Sequence, residues 1–152
     1  MTVYALAVID SNTEVFCLHV PGGTFQDEGV WEQDSNYTVV HVLSEVSNQA
    51  DFMRTQYYKG GAWKSREWKG IYYTWNGTSE AWEFNSDKFW TDVRQDRLSR
   101  LLQSDWTQLS DCKLSLTKQA EWTEYRQALR EVPQTNSGTK VLNEIVWPDT
   151  PS

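Results

Sequence analysis

No apolar run in this 152-residue chain approaches the ~20 residues that a membrane-spanning helix needs, so an integral helical membrane protein is excluded. Cysteine is scarce. Cys17 and Cys112 lie far apart and form no CxxC pair, which reads as two reduced thiols of a cytosolic protein and not as a disulfide framework. The two histidines, His19 and His41, fall in β-like runs, and only Cys17 shares a face with His19, too few ligands for a zinc site. Gly22-Gly23 and Gly60-Gly61 are followed by neither GK[ST] nor a clear helix, so no phosphate-cradling loop is present. No Ser or Cys sits in a nucleophile elbow, and acidic pairs such as Asp27-Glu28 occur on most acidic surfaces. No catalytic residue, metal or cofactor is assigned, and the chain reads as a non-enzyme. The start, MTVYALAVIDSNTEV, lacks a basic n-region and carries Asp10 early, so no secretory signal is expected.

Lys and Arg are absent from residues 1–53, which hold 8 acidic side chains, whereas residues 54–152 hold 14 basic and 13 acidic ones. An acidic front and a balanced back, for a net charge of −7, argue against general polyanion binding, which needs cations to displace counterions. The chain is rich in aromatics, with 9 Trp, 7 Tyr and 5 Phe. Rings with one polar edge suit half-buried cores and interfaces. At this length a globular fold buries about 68–70% of its unfolded surface, enough for a genuine core.

Val3–Ile9 and Glu14–Val20 flank a polar Asp-Ser-Asn-Thr loop and predict a β-hairpin, with Phe16, Leu18 and Val20 on one face and Val15, Cys17 and His19 on the other. Thr24–Ser35 is irregular, with Phe25, Val30 and Trp31 as anchors, and Tyr37–Leu43 is a third strand by its β-branching. A short helix is expected over Ser47–Tyr58, capped by Ser47 and broken by Gly60-Gly61. Ile71–Trp75 and Ala81–Phe84 predict a second hairpin, Asn76-Gly77 supplying positive φ. The Asn-Gly-Thr sequon there is explained by the turn alone. Near Asn85 the hydrophobic period switches from two to about 3.6. Ser86 is expected to cap a helix over Asp87–Gln103 whose core stripe is Phe89, Trp90, Val93, Arg97, Leu98, Leu101 and Leu102. A second helix is expected to start at a Thr117 cap, carry Trp122, Tyr125 and Leu129, and end at Pro133. The fold class expected is therefore α+β: a β-rich domain, residues 1–85, followed by a helical hairpin with an extended tail, residues 86–152.

Arg97, Leu101, Leu102, Asp105-Trp106-Thr107-Gln108, Asp111, Trp122, Tyr125-Arg126-Gln127-Ala128-Leu129-Arg130, Pro133 and Trp147-Pro148 follow one another in several separate blocks. In these residues the stretch 88–151 resembles the phage tail assembly chaperone domain, found in small tail-fibre assembly proteins and at the ends of some tail-fibre chains. The resemblance implies a non-enzymatic phage tail protein that assists folding, trimerisation or attachment of a tail fibre or other tail or baseplate component. It implies the host cytoplasm during assembly, and two variants stay open, retention in the virion tail and self-association as a homo-oligomer. No membrane partner is expected.

In the organising segment Trp106, Tyr125, Arg126, Arg130 and Trp147 are the candidate partner-binding residues, because Arg and aromatic anchors dominate protein interfaces. Core closure, with Asp105 or Asp111 pairing Arg126 or Arg130, is the competing role for the same residues. Trp63, Trp68, Trp75 and Trp82 are candidate surface aromatics for an alternative function, a carbohydrate-binding module aiding host adsorption. Arg54–Lys69, basic with interleaved rings, has the look of a single-strand nucleic-acid platform, a role that the overall acidity argues against.

Overall fold

The computed structural model describes residues 5–19 and 34–152. Its architecture is α+β, with small β-sheets in the N-terminal part and helices in the C-terminal part. By internal packing the chain divides into two compact units, Met1–Glu83 and Phe84–Ser152.

The first unit is built on β1 (Ala5–Ile9), which lies between β2 (Val15–His19) and β3 (Thr38–Val42) in an antiparallel sheet of order β2-β1-β3. All five β1 residues are buried, as expected of an apolar central strand with both ladders paired. The β1–β2 turn is closed by Asp10, whose Oδ1 accepts from the backbone N–H groups of Asn12 and Glu14, both at 2.9 Å, and Thr13 sits at φ 68°. Ile9 pairs Val15 but Val8 pairs Cys17, so Phe16 is an extra residue in the ladder. This bulge resets the alternation. Val15 and Leu18 both join the core around Ala5, Ala7, Ile9 and Val42, while Phe16 is 51% exposed. The expected face, Phe16 with Leu18 against Val15, is thereby corrected. Strict period two holds only where no bulge intervenes.

Helix α1 (Gln49–Thr55) is capped by Asn48, one residue after the expected Ser47. The Asn48 Oδ1 accepts from the Asp51 N–H at 3.0 Å. Tyr57 and Tyr58 belong to β4 (Gln56–Lys59), which pairs β5 (Ala62–Ser65). Gly60 and Gly61, at φ 63° and 80°, form the two-residue turn between them, so the glycine pair builds a hairpin and does not break the helix, which ends at Thr55 before β4 begins. β6 (Tyr73–Asn76) and β7 (Ala81–Phe84) form the expected further hairpin. The positive φ in its loop is at Glu80, 53°, and not at Gly77. Gly77 is needed for a different reason. A Cβ there would lie 2.7 Å from the Asn12 carbonyl carbon and 2.8 Å from Thr13 Oγ1. The close approach exists because the Asn12 side chain ties two segments together, its Oδ1 accepting from Gly77 N–H at 2.7 Å and its Nδ2 donating to the Trp75 carbonyl at 2.7 Å. The expected anchors Phe25, Val30 and Trp31 lie outside the described residues.

The second unit is a helical hairpin. α2 (Ser86–Gln103) is capped by Asn85, whose Oδ1 accepts from Lys88 N–H at 3.0 Å, and Ser86 is already its first helical residue. α3 (Leu116–Thr135) is capped by Ser115, two residues before the expected Thr117. Phe89 and Val93 of α2, Tyr125, Leu129 and Val132 of α3, and Ile145 beyond it are buried, and the two helices pack together. Burying one such side chain stabilises the fold by about 1.5–3 kcal/mol. Leu98 and Leu102, expected in the core stripe, are 48% and 61% exposed.

Pro133 does not end α3. The helix runs on to Thr135, two residues further. A proline in the last turn removes only one ladder bond, and the carbonyls there find other donors. Thr135 Oγ1 donates to the Glu131 and Val132 carbonyls at 3.3 and 3.2 Å, and the Val132 carbonyl also accepts from Asn136 N–H and Nδ2.

Candidate functional site

Within the second unit, the residues singled out from the sequence separate into an inward set and an outward set. Arg126 is inward, with its side chain 10% exposed. It leaves α3 and reaches the C-terminal end of α2, where Nη1 donates to the Leu101 carbonyl and to Ser104 Oγ, both at 2.7 Å. Nη2 pairs with Asp105 Oδ1 at 2.8 Å, the carboxylate itself standing half in solvent. The final carbonyls of a helix lack intrahelical donors and carry the negative end of its dipole, so a guanidinium there is favoured twice. Ser104, 2% exposed, completes the cap by donating to the Arg100 and Leu101 carbonyls. Ser104, Asp105 and Arg126, the last distant in sequence, thus form one brace. The Asp105–Arg126 pair is the one named in the core-closing role set beside partner contact in the sequence, and both terminal nitrogens of the guanidinium are engaged. Tyr125 is likewise buried, its ring edge-on to Trp122, which in turn meets Trp106.

Trp106 lies in a 3-10 turn (Asp105–Gln108) that follows α2 and is 49% exposed. Arg130 is exposed, its carbonyl accepting from Arg97 Nη1 at 3.4 Å. Four large apolar residues stand out within twelve positions: Leu98 and Leu102, one turn apart on α2, then Trp106, and Leu109, which is 60% exposed. Sequence reading missed the leucines because a helical stripe wide enough to cover one packed face also predicts burial of its margins. The neighbouring arginines, Arg94 and Arg97, were the available signal that this margin faces water.

Trp147 is half-buried, with the Arg100 guanidinium 4.4 Å from its ring centroid. The tail that carries it is fixed by Asn136, which is 4% exposed. Its Oδ1 accepts from Val146 N–H at 2.8 Å and its Nδ2 donates to the Val146 carbonyl at 3.3 Å, so one side-chain amide pairs with the tail as a strand partner would. Beyond it Pro148–Ser152 and Tyr125, Ala128 and two glutamates of α3 line an open groove of about 450 Å³.

In the first unit the four candidate tryptophans differ sharply. Trp75 is 4% exposed, which corrects its assignment as a surface ring. Trp63 packs against the sheet core, edge-on to Phe52 and Tyr58. Trp82 is half-buried, its indole N–H donating to the Glu67 carbonyl at 2.7 Å. Trp68 alone of the four is in the exposed class, at 38%. Trp75 and Trp82 meet edge-on at 5.4 Å, and the guanidinium of Arg66 packs against both, 4.5 and 4.6 Å from the ring centroids. Arg66 is 4% exposed on its side chain and pairs with Glu14 at 2.7 Å.

The three lysines of Arg54–Lys69 are also engaged. Lys59 and Lys64 meet Glu80 at 3.0 and 3.1 Å, and Lys69 meets Glu67 at 2.7 Å. The Glu80 carboxyl is held down to about 2 by its hydrogen bonds from Lys59, Tyr57 and Lys64. Burial first, and then that same carboxylate, pushes the Tyr57 hydroxyl up. A segment whose lysines are paired in this way has little charge left for a phosphate backbone. Cys17 and His19 meet at 3.5 Å on one sheet face, and among the described residues no group of three or more His, Cys, Asp or Glu is placed to hold a metal. Among those residues no helix is long and apolar enough to cross a membrane.

Comparison with known proteins bears on the C-terminal stretch. Residues 90–152 match the family model of the phage tail assembly chaperone protein, over the same blocks that carry the sequence resemblance. No curated protein and no solved structure gives a significant match. The family match supports a role in phage tail assembly.

Proposed function

We propose that the helical hairpin, whose residues 90–152 match the phage tail assembly chaperone protein family, is a docking module for a tail fibre or another tail or baseplate protein. It assists folding, trimerisation or attachment of that component by binding, without catalysis, in the host cytoplasm during assembly. The observation that carries this reading is the run of exposed apolar side chains Leu98, Leu102, Trp106 and Leu109, all inside the matched stretch. Apolar side chains gathered on a small soluble unit mark interaction surfaces more often than scattered single ones do. A module that shields an unassembled fibre needs such a surface, because exposed apolar faces and strand edges are what make assembly intermediates aggregate. Arg130, exposed on α3, is the polar anchor retained from the sequence reading, and Trp106 the aromatic one.

The test is co-expression with the tail fibre and baseplate proteins of the encoding phage, followed by affinity capture. Wild-type chain is expected to retain one of them, and Leu102→Ser with Leu109→Ser to lose it while the far-UV circular dichroism spectrum is kept. Equal capture by the folded double variant would overturn the assignment of this surface. Quantitative mass spectrometry of mature particles then separates a chaperone that leaves from a component that stays: stoichiometric copies in the virion make it a tail part.

A further inference from the structure

We infer a second binding site, in the first unit, for an uncharged carbohydrate. It is a groove of about 470 Å³ beside the β2 bulge, within the 300–1,000 Å³ span of small-ligand sites. Its two rings are Phe16 and Trp68, 51% and 38% exposed. The bulge is what turns Phe16 out of the strand alternation and into this position, and bulges characteristically re-aim side chains beside binding sites. Trp68 is set by its edge contact with Trp82 at 5.1 Å and by the Arg54 guanidinium 5.7 Å from its centroid.

Around the rings stand two carboxylates, Asp10 and Glu14, and two guanidiniums, Arg54 and Arg66. Asp10 uses only Oδ1 for its turn, and Glu14 uses only Oε1 for Arg66, so among the described residues each keeps an unengaged oxygen. The Arg54 guanidinium has no hydrogen-bond acceptor among those residues, its charge resting on the Trp68 ring alone. The groove thus offers spare acceptors, a spare planar donor and the exposed Trp68 ring. A pyranose presents the complement: hydroxyl pairs that donate and accept, and a C–H face that lies on an aromatic ring. The two charges of each sign cancel, so a phosphate, sialate or polycation gains no net attraction, and the occupant is neutral. This site is independent of the tail-protein docking proposed for the second unit.

Of the four candidate tryptophans, Trp68 lines this groove. Trp75 and Trp82 instead pack against Arg66, which pairs with Glu14 at the groove wall.

The experiment is a glycan array of immobilised bacterial surface oligosaccharides, neutral and anionic, probed with the full chain, and calorimetric titration of each hit in free form. At least one neutral oligosaccharide is expected to bind. Trp68→Ala and Arg54→Ala should each weaken it at least tenfold, and Leu102→Ser in the second unit should leave it unchanged. If Trp68→Ala fails to fold, Phe16→Ser, on an exposed bulge, gives the same reading. Absence of any neutral hit, hits confined to anionic glycans, or equal binding by the folded groove variants would overturn the inference. Capture of a tail protein that Arg54→Ala abolishes, with no glycan bound, would reassign the groove to a protein partner.

Discussion

Replacing Arg126 by Ala removes one guanidinium that serves three acceptors at the junction of α2 and α3. Two of its bonds are short and shielded, to the Leu101 carbonyl and to Ser104 Oγ. A hydrogen bond to a charged group contributes about 1.5–3 kcal/mol net when buried. The pair with Asp105, whose carboxylate is 55% exposed, adds less than ~1 kcal/mol. The Leu101 carbonyl would still accept from Ser104 N–H at 3.1 Å and Ser104 Oγ at 2.9 Å, so it would not be orphaned. Because the contacts share one side chain and this partner is retained, the sum is not additive, and the expected loss is about 2–3 kcal/mol. Most helical residues belong to α2 and α3, so ellipticity at 222 nm reports on the second unit. With a slope near ~1 kcal/mol/M for so small a unit, the urea midpoint should fall by about 2 M. Arg126→Lys keeps the charge at the helix end without the fork and should fall about midway. A midpoint shift under ~0.5 M for the alanine variant would refute the bracing role. The same variant, measured where it is still folded, should retain its tail partner, whereas Arg130→Ala should weaken that binding.

Asn136→Ala removes both bonds to Val146 and is expected to release the tail: hydrogen exchange at Val146 should accelerate at least tenfold with α3 unaffected, and unchanged protection would count against the clamp. Gly77→Ala forces a Cβ into the Asn12 backbone and should destabilise the first unit by about 1–3 kcal/mol in chemical denaturation; a neutral result would mean the loop yields freely. Glu80 is expected to give pH-dependent stability. Its folded pKa, about 2, lies below the ordinary glutamate value of 4.5, so its contribution is complete above 4.5 and is lost as pH falls toward 2. The melting-temperature gap between wild type and Glu80→Gln should therefore be full at pH 7 and close through that window, and a constant gap would refute it.

The α+β order of the chain was legible because period two gives way to period 3.6 near Asn85, and the described elements follow that switch. Helix starts were legible to within a residue or two. At each start several Ser, Thr and Asn residues compete, and the geometry of the preceding chain chooses among them, taking Asn48, Asn85 and Ser115. The bulge at Phe16 left no trace in composition, since one inserted residue looks like any other, yet it reversed the face of Val15. Polar side chains were harder still. Arg66 looks like a surface charge in sequence, and only its tertiary partners, two indoles and Glu14, explain why it is buried; for Arg126 the pairing with Asp105 was readable as an alternative, but the helix end that it caps was not. The exposed leucines of α2 were visible as apolar positions, but their exposure depends on how far α3 covers them. The interface candidates divided accordingly: Trp106 and Arg130 face solvent, while Tyr125 and Arg126 hold the hairpin.

The amide of Asn136 fixes where the tail returns without fixing how the chain gets there. Residues 137–144, ahead of the buried Ile145, only have to connect a helix end to a strand-like partner ten positions on. Lengthening such a connection costs little, about 0.6 kcal/mol for each doubling. In related chains this segment is therefore expected to vary in length while an Asn at the helix terminus keeps company with the Trp-Pro pair. Aligning them means counting backward from Trp147 and forward from Pro133, and leaving the gap to fall between.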